Sequence, residues 1–399
     1  MKKIAFITLG RLPVPATRGG AVENLLQLLL DENEHAHAFD ATVFSVSEPK
    51  AVEESRKYRF SKFVFIPATG KIWRALRILR SALNRFVLPF YIGNQFAASV
   101  IRELKRRGND FDALVLEGVP EYSIPLRRAF PKSLIISRLH NRYIFNGCSR
   151  EKAIVEATDV FLGVSEYICR ETRTARGVAP ENVYCCYNGI DTGRFSRKIS
   201  AEERDALRER LGFAPTDFVF VFSGRLVKEK GVGELIEAFS AAEKTLRNAK
   251  LLILGGKAFA GTAADWERPR SRNVVFSGYI PYAEMPLMLQ CADAAVLPSI
   301  WEEPFAPTFA EALCAGLPAI VTDSGGMVEI AENSGATIVP RGENFVPRLA
   351  EAMCALAGTP PTERERLSAQ AAARGAYFSK ERCFDRFCEI LEKIPLLNR

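Results

Sequence analysis

Ser299-Ile300-Trp301-Glu302-Glu303-Pro304-Phe305-Ala306-Pro307-Thr308-Phe309-Ala310-Glu311-Ala312-Leu313 follows a short run, Ala294–Leu297, that is apolar at every position. Such a run, without polar alternation, reads as a strand buried on both faces, as in a parallel sheet. Pro307 suits the first turn of a helix, which is predicted to run to Ala315. A strand, a loop and a helix make half of a βαβ unit, and in such sheets ligands bind at the carboxyl ends of the strands. Free backbone N–H groups at the helix start would favour an anion there. Glu303, just before the helix, and Glu311, within it, are carboxylates able to accept hydrogen bonds from sugar or ribose hydroxyls. The plainer alternative is a capped helix with solvent-facing acids, and the position behind a buried strand argues against it.

Outward from this stretch the same alternation recurs. Lys3–Leu9, Ala41–Val46, Ala113–Glu117, Leu134–Ser137 and Val160–Val164 read as strands of a first unit. Phe218–Ser223, Leu251–Leu254, Val274–Phe276, Ala294–Leu297 and Ala319–Thr322 read as strands of a second. Helical patterns separate them, so the expected fold is α/β, with two doubly wound domains. A length of 399 residues suits two domains, expected at 1–187 and 192–379 with a hinge at 188–191. Asn188-Gly189 is the turn signal there. A last helix is predicted at Lys380–Lys393, within a tail of 380–399.

Composition fits a globular protein, with 48% hydrophobic and 25% charged residues. No apolar run reaches the roughly 18–20 residues of a membrane span. The N-terminal apolar run is short and leads into Gly10, Arg11 and two prolines, so it reads as a first buried strand rather than a signal peptide. Nine cysteines without a Cys-x-x-Cys pair suggest reduced thiols and a cytosolic setting. With three histidines, a His/Cys zinc site is not expected.

Five further features could carry chemistry. Ser223-Gly224-Arg225-Leu226 follows a buried strand, and Lys228, Lys230 and Gly231 come next, ahead of a helix expected from Val232 to Phe239. Arg225 is a fork of donors and Lys230 a point charge, a pair suited to a diphosphate, against the plainer reading of a solvated basic turn. Gly325-Gly326 with Glu329, after Ala319–Thr322, and Gly255-Gly256, after Leu251–Leu254, are either close approaches to a ligand or tight turns. In the first unit Gly19 and Gly20 precede a helix, without the Gly-x-Gly-x-x-Gly spacing of a dinucleotide site. His140 sits just past the strand at Leu134–Ser137. Asp110-Phe111-Asp112 imitates a metal-binding triplet but merely introduces Ala113–Glu117, and no metal is expected.

In order and spacing, Gly224-Arg225 with Lys230, Glu303 and Glu311 as Glu-x7-Glu, Gly325-Gly326 with Glu329, and Asn188-Gly189-Ile190-Asp191 resemble the family 4 glycosyltransferases of the GT-B fold. The loop before Gly20 and His140 extend the resemblance over nearly the whole chain. It implies two Rossmann-like domains facing each other across a cleft, the first binding acceptor and the second a nucleotide-sugar donor, with the last helix crossing back to the first. Arg225 and Lys230 would hold the donor diphosphate, Glu303 the sugar and Glu311 the ribose. The backbone of Phe305, Ala306 and Thr308 would meet sugar and phosphates, and the base would lie near Tyr279 and Ile280. Gly19, Gly20 and His140 would face the donor from the first domain. Transfer would retain anomeric configuration by front-side attack, without a metal or other cofactor. The family often has Gly-Leu where this chain has Ala306-Pro307, and Pro307 has no N–H to give a phosphate. A uridine sugar is the first expectation and a guanosine sugar the second. The pattern from Leu12 to Ala21 resembles enzymes of cell-surface or spore-coat polysaccharide synthesis, implying a saccharide or lipid-linked acceptor. A nucleotide-sugar epimerase of the same fold and a silent binding protein are the rival readings.

The net charge is +7, and between Lys71 and Arg107 nine Lys/Arg accompany one acid, Glu103. On a helical wheel Ile72, Leu76, Leu79, Leu83 and Phe86 fall within about 80°, opposite Lys71, Arg74, Arg77, Arg80 and Arg85, with Trp73 and Ile78 on the basic side. Two readings stay open: a helix lying on an anionic membrane, peripheral at its inner face, or a surface helix packed on its own domain. Interleaved aromatics on a sheet are lacking, so nucleic acid is not an expected partner.

Overall fold

The structure, a computed structural model, describes residues 1–68, 70–84, 91–256 and 271–394. The chain divides into two compact units, one of Met1–Gly189 with Lys380–Arg399 and one of Ile190–Ser379.

The first unit holds β1 (Lys2–Ile7), β2 (Phe39–Val46), β3 (Ser61–Ile66), β4 (Ala113–Glu117), β5 (Leu134–Leu139), β6 (Val160–Gly163) and β7 (Val183–Cys185). They form one sheet in the order β3-β2-β1-β4-β5-β6-β7, with parallel pairing throughout. β4 and β5 are buried at every residue, because helices cover both faces. On one face Phe6 and Phe39 pack with Leu26, Leu29 and Leu30 of helix Ala21–Ala36 and with Phe384 and Phe387 of helix Lys380–Lys393. The rings of Phe39 and Phe387 meet edge to face at 5.8 Å, and Lys380 pairs with Glu32 at 2.8 Å. On the other face Ile7 and Phe44 pack with Phe96, Val100 and Leu104 of helix Gln95–Arg106.

The second unit holds β8 (Phe218–Ser223), β9 (Ala249–Leu254), β10 (Val274–Gly278), β11 (Ala294–Leu297), β12 (Ala319–Thr322) and β13 (Thr337–Val339). Their order is β10-β9-β8-β11-β12-β13, again all parallel. Phe220 and Phe222 pack under helices Val232–Ala242 and Phe345–Ala357. In both units the chain builds outward from the first strand on one side, then returns to build on the other. The reversal leaves a switch point between β1 and β4, and another between β8 and β11, where such sheets open a crevice.

Ala113–Glu117, Phe218–Ser223, Ala294–Leu297 and Ala319–Thr322 are strands with the bounds expected from sequence. β3, β7 and β13 were not expected, and each is an edge strand. An edge strand is covered incompletely, so β3 alternates in burial and β13 is mostly exposed. A continuous apolar run marks the interior strands, and it also marks the edge strand β10 at Val274–Phe276. The basic helix runs from Lys71 to Ala82; Arg85 and Phe86 of the helical wheel lie outside the described residues.

Candidate active site

Ser223 at the end of β8, Lys230, Ser299 and Glu303 from the loop after β11, and Ala306 with Thr308 at the next helix start line one depression. This is the switch point of the second sheet, so its position follows from strand order. Lys230 closes a short turn, Lys228–Lys230, and Gly231 follows in left-handed conformation at φ 68. A Cβ on Gly231 would stand 1.9 Å from the Pro298 carbonyl oxygen, so only glycine lets the turn pack against the β11 loop. The turn brings the Lys230 ammonium to 2.6 Å from Glu303 Oε1. The Ser299 hydroxyl donates to the same oxygen at 2.6 Å.

The loop carrying Glu303 is held by its backbone as well. Glu303 N–H donates to Ser324 Oγ at 2.9 Å, and its carbonyl accepts from Gly326 N–H at 2.7 Å. Gly325 N–H donates to the Glu302 carboxylate at 2.7 Å, and Arg341 pairs with both Glu302 and Asp323 at 2.8 and 2.9 Å. The N–H groups of Gly325 and Gly326 therefore bind the neighbouring loop, which is the tight-turn reading of that glycine pair.

Helix Pro307–Cys314 begins at the depression. The Ala306 carbonyl accepts from Phe309 and Ala310, and Pro307 has no N–H. Thr308 N–H, in the first turn, has no intrahelical acceptor and adds its dipole to the helix's positive pole. An ammonium and a helix N-terminus favour an anion, and the adjacent buried carboxylate suits a hydroxyl-rich group.

The other expected residues are placed variously. Arg225 is exposed at the same strand end and makes no ion pair among the described residues. Tyr279, just past β10, is 75% exposed, and Ile280 follows it half-buried. The Phe305 ring is buried edge to face against Phe378 at 5.5 Å, leaving only its backbone for a ligand. Glu311 does not line the depression. It is buried and accepts the Tyr282 hydroxyl, and burial pushes its carboxyl up to about 7 despite that bond.

In the first unit β4 ends at Glu117, and His140 follows β5. His140 Nε2 lies 2.7 Å from Glu117 Oε2, and Arg138 Nη1 3.6 Å from Glu117 Oε1, all buried. Burial alone would raise the Glu117 carboxyl, but Arg138 and His140 outweigh it and hold the group below its usual range. Burial lowers His140. A neutral ring bound to a carboxylate donates from Nε2, which leaves Nδ1 as an acceptor; Nδ1 has no protein partner. Gly20 caps helix Ala21–Ala36, and the space a Cβ would need there is filled by the Glu23 carboxylate, 2.2 Å away. Gly19 faces open space. Asp110 and Asp112 bind the Lys3 ammonium and N–H.

Sequence alone assigns no role to Ser299, Ser324, Tyr282, Glu117 or Arg138. A charged residue closing an all-apolar run, as Glu117 does after Ala113–Leu116, was the available signal. Among the described residues no cluster of three His, Cys, Asp or Glu could hold a metal ion. The nine cysteines are free, and no described helix is long and apolar enough to cross a membrane.

Residues 203–374, all within the second unit, match the family described as glycosyl transferases group 1. The putative glycosyltransferase YtcC of Bacillus subtilis is 26% identical over 367 residues, covering 88% of this chain and 82% of that protein. Spore coat protein SA of the same organism is 24% identical over 344 residues, covering 83% of each. Among solved structures, Anabaena Alr3699/HepE in complex with UDP-glucose superposes with a TM-score of 0.75 at 17% identity, covering 99% of this chain and 100% of that one. That likeness makes the fold GT-B. Residues 203–374 thus form a group 1 glycosyl transferase domain, and the chain is a glycosyltransferase.

Proposed function

We propose that the chain transfers a sugar from a nucleoside diphosphate sugar, a uridine sugar first, to a hydroxyl of a saccharide or lipid-linked acceptor in cell-surface polysaccharide synthesis. The observation that carries the donor reading is the grouping of Lys230, Glu303 and the Thr308 N–H at the β8/β11 switch point. A diphosphate would take Lys230 and the helix start, with exposed Arg225 reaching the same charge. Stabilising negative charge as it develops on the leaving diphosphate supplies the main rate enhancement, and protein cations perform it without a metal. Glu303 would hold the sugar hydroxyls, Glu311 the ribose and Tyr279 with Ile280 the base. His140 would offer Nδ1 to a donor hydroxyl, and Gly19 and Gly20 would approach from the first unit. HepE, crystallised with UDP-glucose, supports the choice of uridine. Front-side attack with retention is the route that the family resemblance implies.

The basic helix adds a second element, peripheral docking on an anionic membrane at its inner face. Trp73 packs on the core beside Phe96 and Val100, and Arg80 donates to Ile92 O at 3.2 Å. The apolar row is turned outward, with Leu76 38% and Leu79 55% exposed. A helix packed through its apolar row would bury both. Exposed leucines flanked by Arg74 and Arg77 match an anionic lipid surface in charge and polarity.

A thermal-shift panel of nucleoside diphosphates and their sugars tests the donor reading, because a ligand bound to the native state raises stability by mass action. At 100 times Kd the gain is about 2.7 kcal/mol, and one base should stand out. A chain shifted by none of them, or one that converts a donor to its epimer without acceptor, would count against transfer.

A further inference from the structure

The Lys230–Glu303 pair, resting on the donor reading above, poses a question of order. In the absence of donor each group neutralises the other at 2.6 Å. A diphosphate competes for the ammonium, and a sugar hydroxyl competes for the carboxylate. Once Lys230 turns to phosphate, Glu303 keeps only those contacts that do not involve Lys230. Its side chain is 3% exposed, so a carboxylate released there needs another donor.

Ser299 is that donor. Its hydroxyl lies 2.6 Å from Glu303 Oε1, and the residue is 2% exposed. A second oxygen, Glu229 O, stands 3.0 Å from the hydroxyl, but it already accepts Ile300 N–H at 2.9 Å. The single hydroxyl proton therefore goes to the charged acceptor, which forms the shorter and stronger bond. The Ser299 backbone is fixed as well, its carbonyl accepting from Thr322 Oγ1 at 2.7 Å. The neighbouring Pro298 carbonyl is the group on which Gly231 packs. One dipeptide thus sets both halves of the pair: Pro298 seats the turn that carries Lys230, and Ser299 aims Glu303.

We propose that Ser299 is a positioning residue for the donor sugar: it holds the Glu303 carboxylate aimed after Lys230 has passed to the diphosphate. It acts through Glu303, to which its one hydroxyl proton is committed. Its loss should therefore weaken recognition of the sugar and spare recognition of the nucleoside diphosphate. A merely structural role would weaken both alike.

Isothermal titration of wild type, Ser299→Ala and Ser299→Thr with UDP and with UDP-glucose reads the difference, with GDP, ADP and their glucose or mannose forms used if the uridine pair does not bind. Expected for Ser299→Ala is a loss of about tenfold or more in affinity for the nucleotide sugar, the worth of a hydrogen bond to a charged group, with nucleoside diphosphate affinity within about twofold. Ser299→Thr, which keeps the hydroxyl, should restore most of the sugar discrimination. Equal losses for both ligands, or no loss for either, would overturn the role of Ser299 while leaving the donor site standing. A wild-type chain that binds none of these nucleotides would overturn the donor reading itself, and this proposal with it.

Discussion

The Lys230 ammonium and the Glu303 carboxylate meet at 2.6 Å although 73 residues separate them in the chain. Two loops from adjacent strand ends make the contact, and neither loop achieves it alone. Gly231 seats the first loop, and Ser324 with Gly326 stitches the second. Sheet topology thus gathers a cation suited to an anion and a carboxylate suited to hydroxyls in one place.

Gly231→Ala should cost about 2 kcal/mol or more in urea unfolding, since it adds a Cβ at positive φ and drives it into the Pro298 carbonyl. Turnover should fall further than the stability loss explains, because the turn also places Lys230. A variant of wild-type stability would show that the turn is not seated as described.

Glu311 predicts a pH dependence. Its folded-state value of about 7 lies above the ordinary carboxyl value of about 4.3. Below both values the group is protonated in either state and contributes nothing. As pH rises from about 4.3 to 7 the unfolded chain ionises first, so the folded state loses up to an order of 3 kcal/mol, constant above pH 7. Glu311→Gln removes this penalty. Denaturant titrations should show the variant gaining on wild type between pH 4.5 and 7 and holding level beyond; a pH-independent difference would contradict the buried, charge-disfavouring site.

Glu117→Ala should destabilise the first unit by about 3–5 kcal/mol, because it strands the Arg138 guanidinium in the core. Pairing Glu117→Leu with Arg138→Met should recover most of that loss, since no buried charge is then unpaired. Equilibrium unfolding in urea reads both. If the double variant is no better than Glu117→Ala, Arg138 is not the group that makes the deletion costly.

For the basic helix, sedimentation with vesicles of 40% phosphatidylglycerol should pull down the wild type. Replacing Arg74 and Arg77 by Glu should lower the partition by about 10²-fold or more, at about 1 kcal/mol for each basic residue near an anionic surface. Leu76→Asp with Leu79→Asp should weaken it independently of salt. Binding unchanged in both variants would remove this helix from any membrane contact.

Interior strands were legible because burial on both faces writes an apolar run, as at Ala294–Leu297 and Phe218–Ser223. β3, β7 and β13 were not: β7 and β13 are only three residues long, and β3, apolar at Phe63–Ile66, is only partly buried at its edge. Lys230 and Glu303 could be named from strand ends and spacing. Their partners Ser299 and Ser324 could not, since a serine near a turn is ordinary and only the fold shows which carboxylate or N–H it meets. Glu311 shows a second limit: its spacing from Glu303 was legible, but its burial and its bond to Tyr282 are properties of packing. The outward turn of Leu76 and Leu79 was likewise invisible on a helical wheel, which gives the faces of a helix but not the one that packs.

The most direct test of the donor site is sugar transfer itself, followed as nucleoside diphosphate released from the donor that stabilises the protein, in the presence of a saccharide acceptor. Lys230→Ala should retain the wild-type fold and lower turnover by about 10²-fold or more, the typical consequence of removing a preorganised charge from a developing anion. Near-normal turnover in that variant would contradict the account.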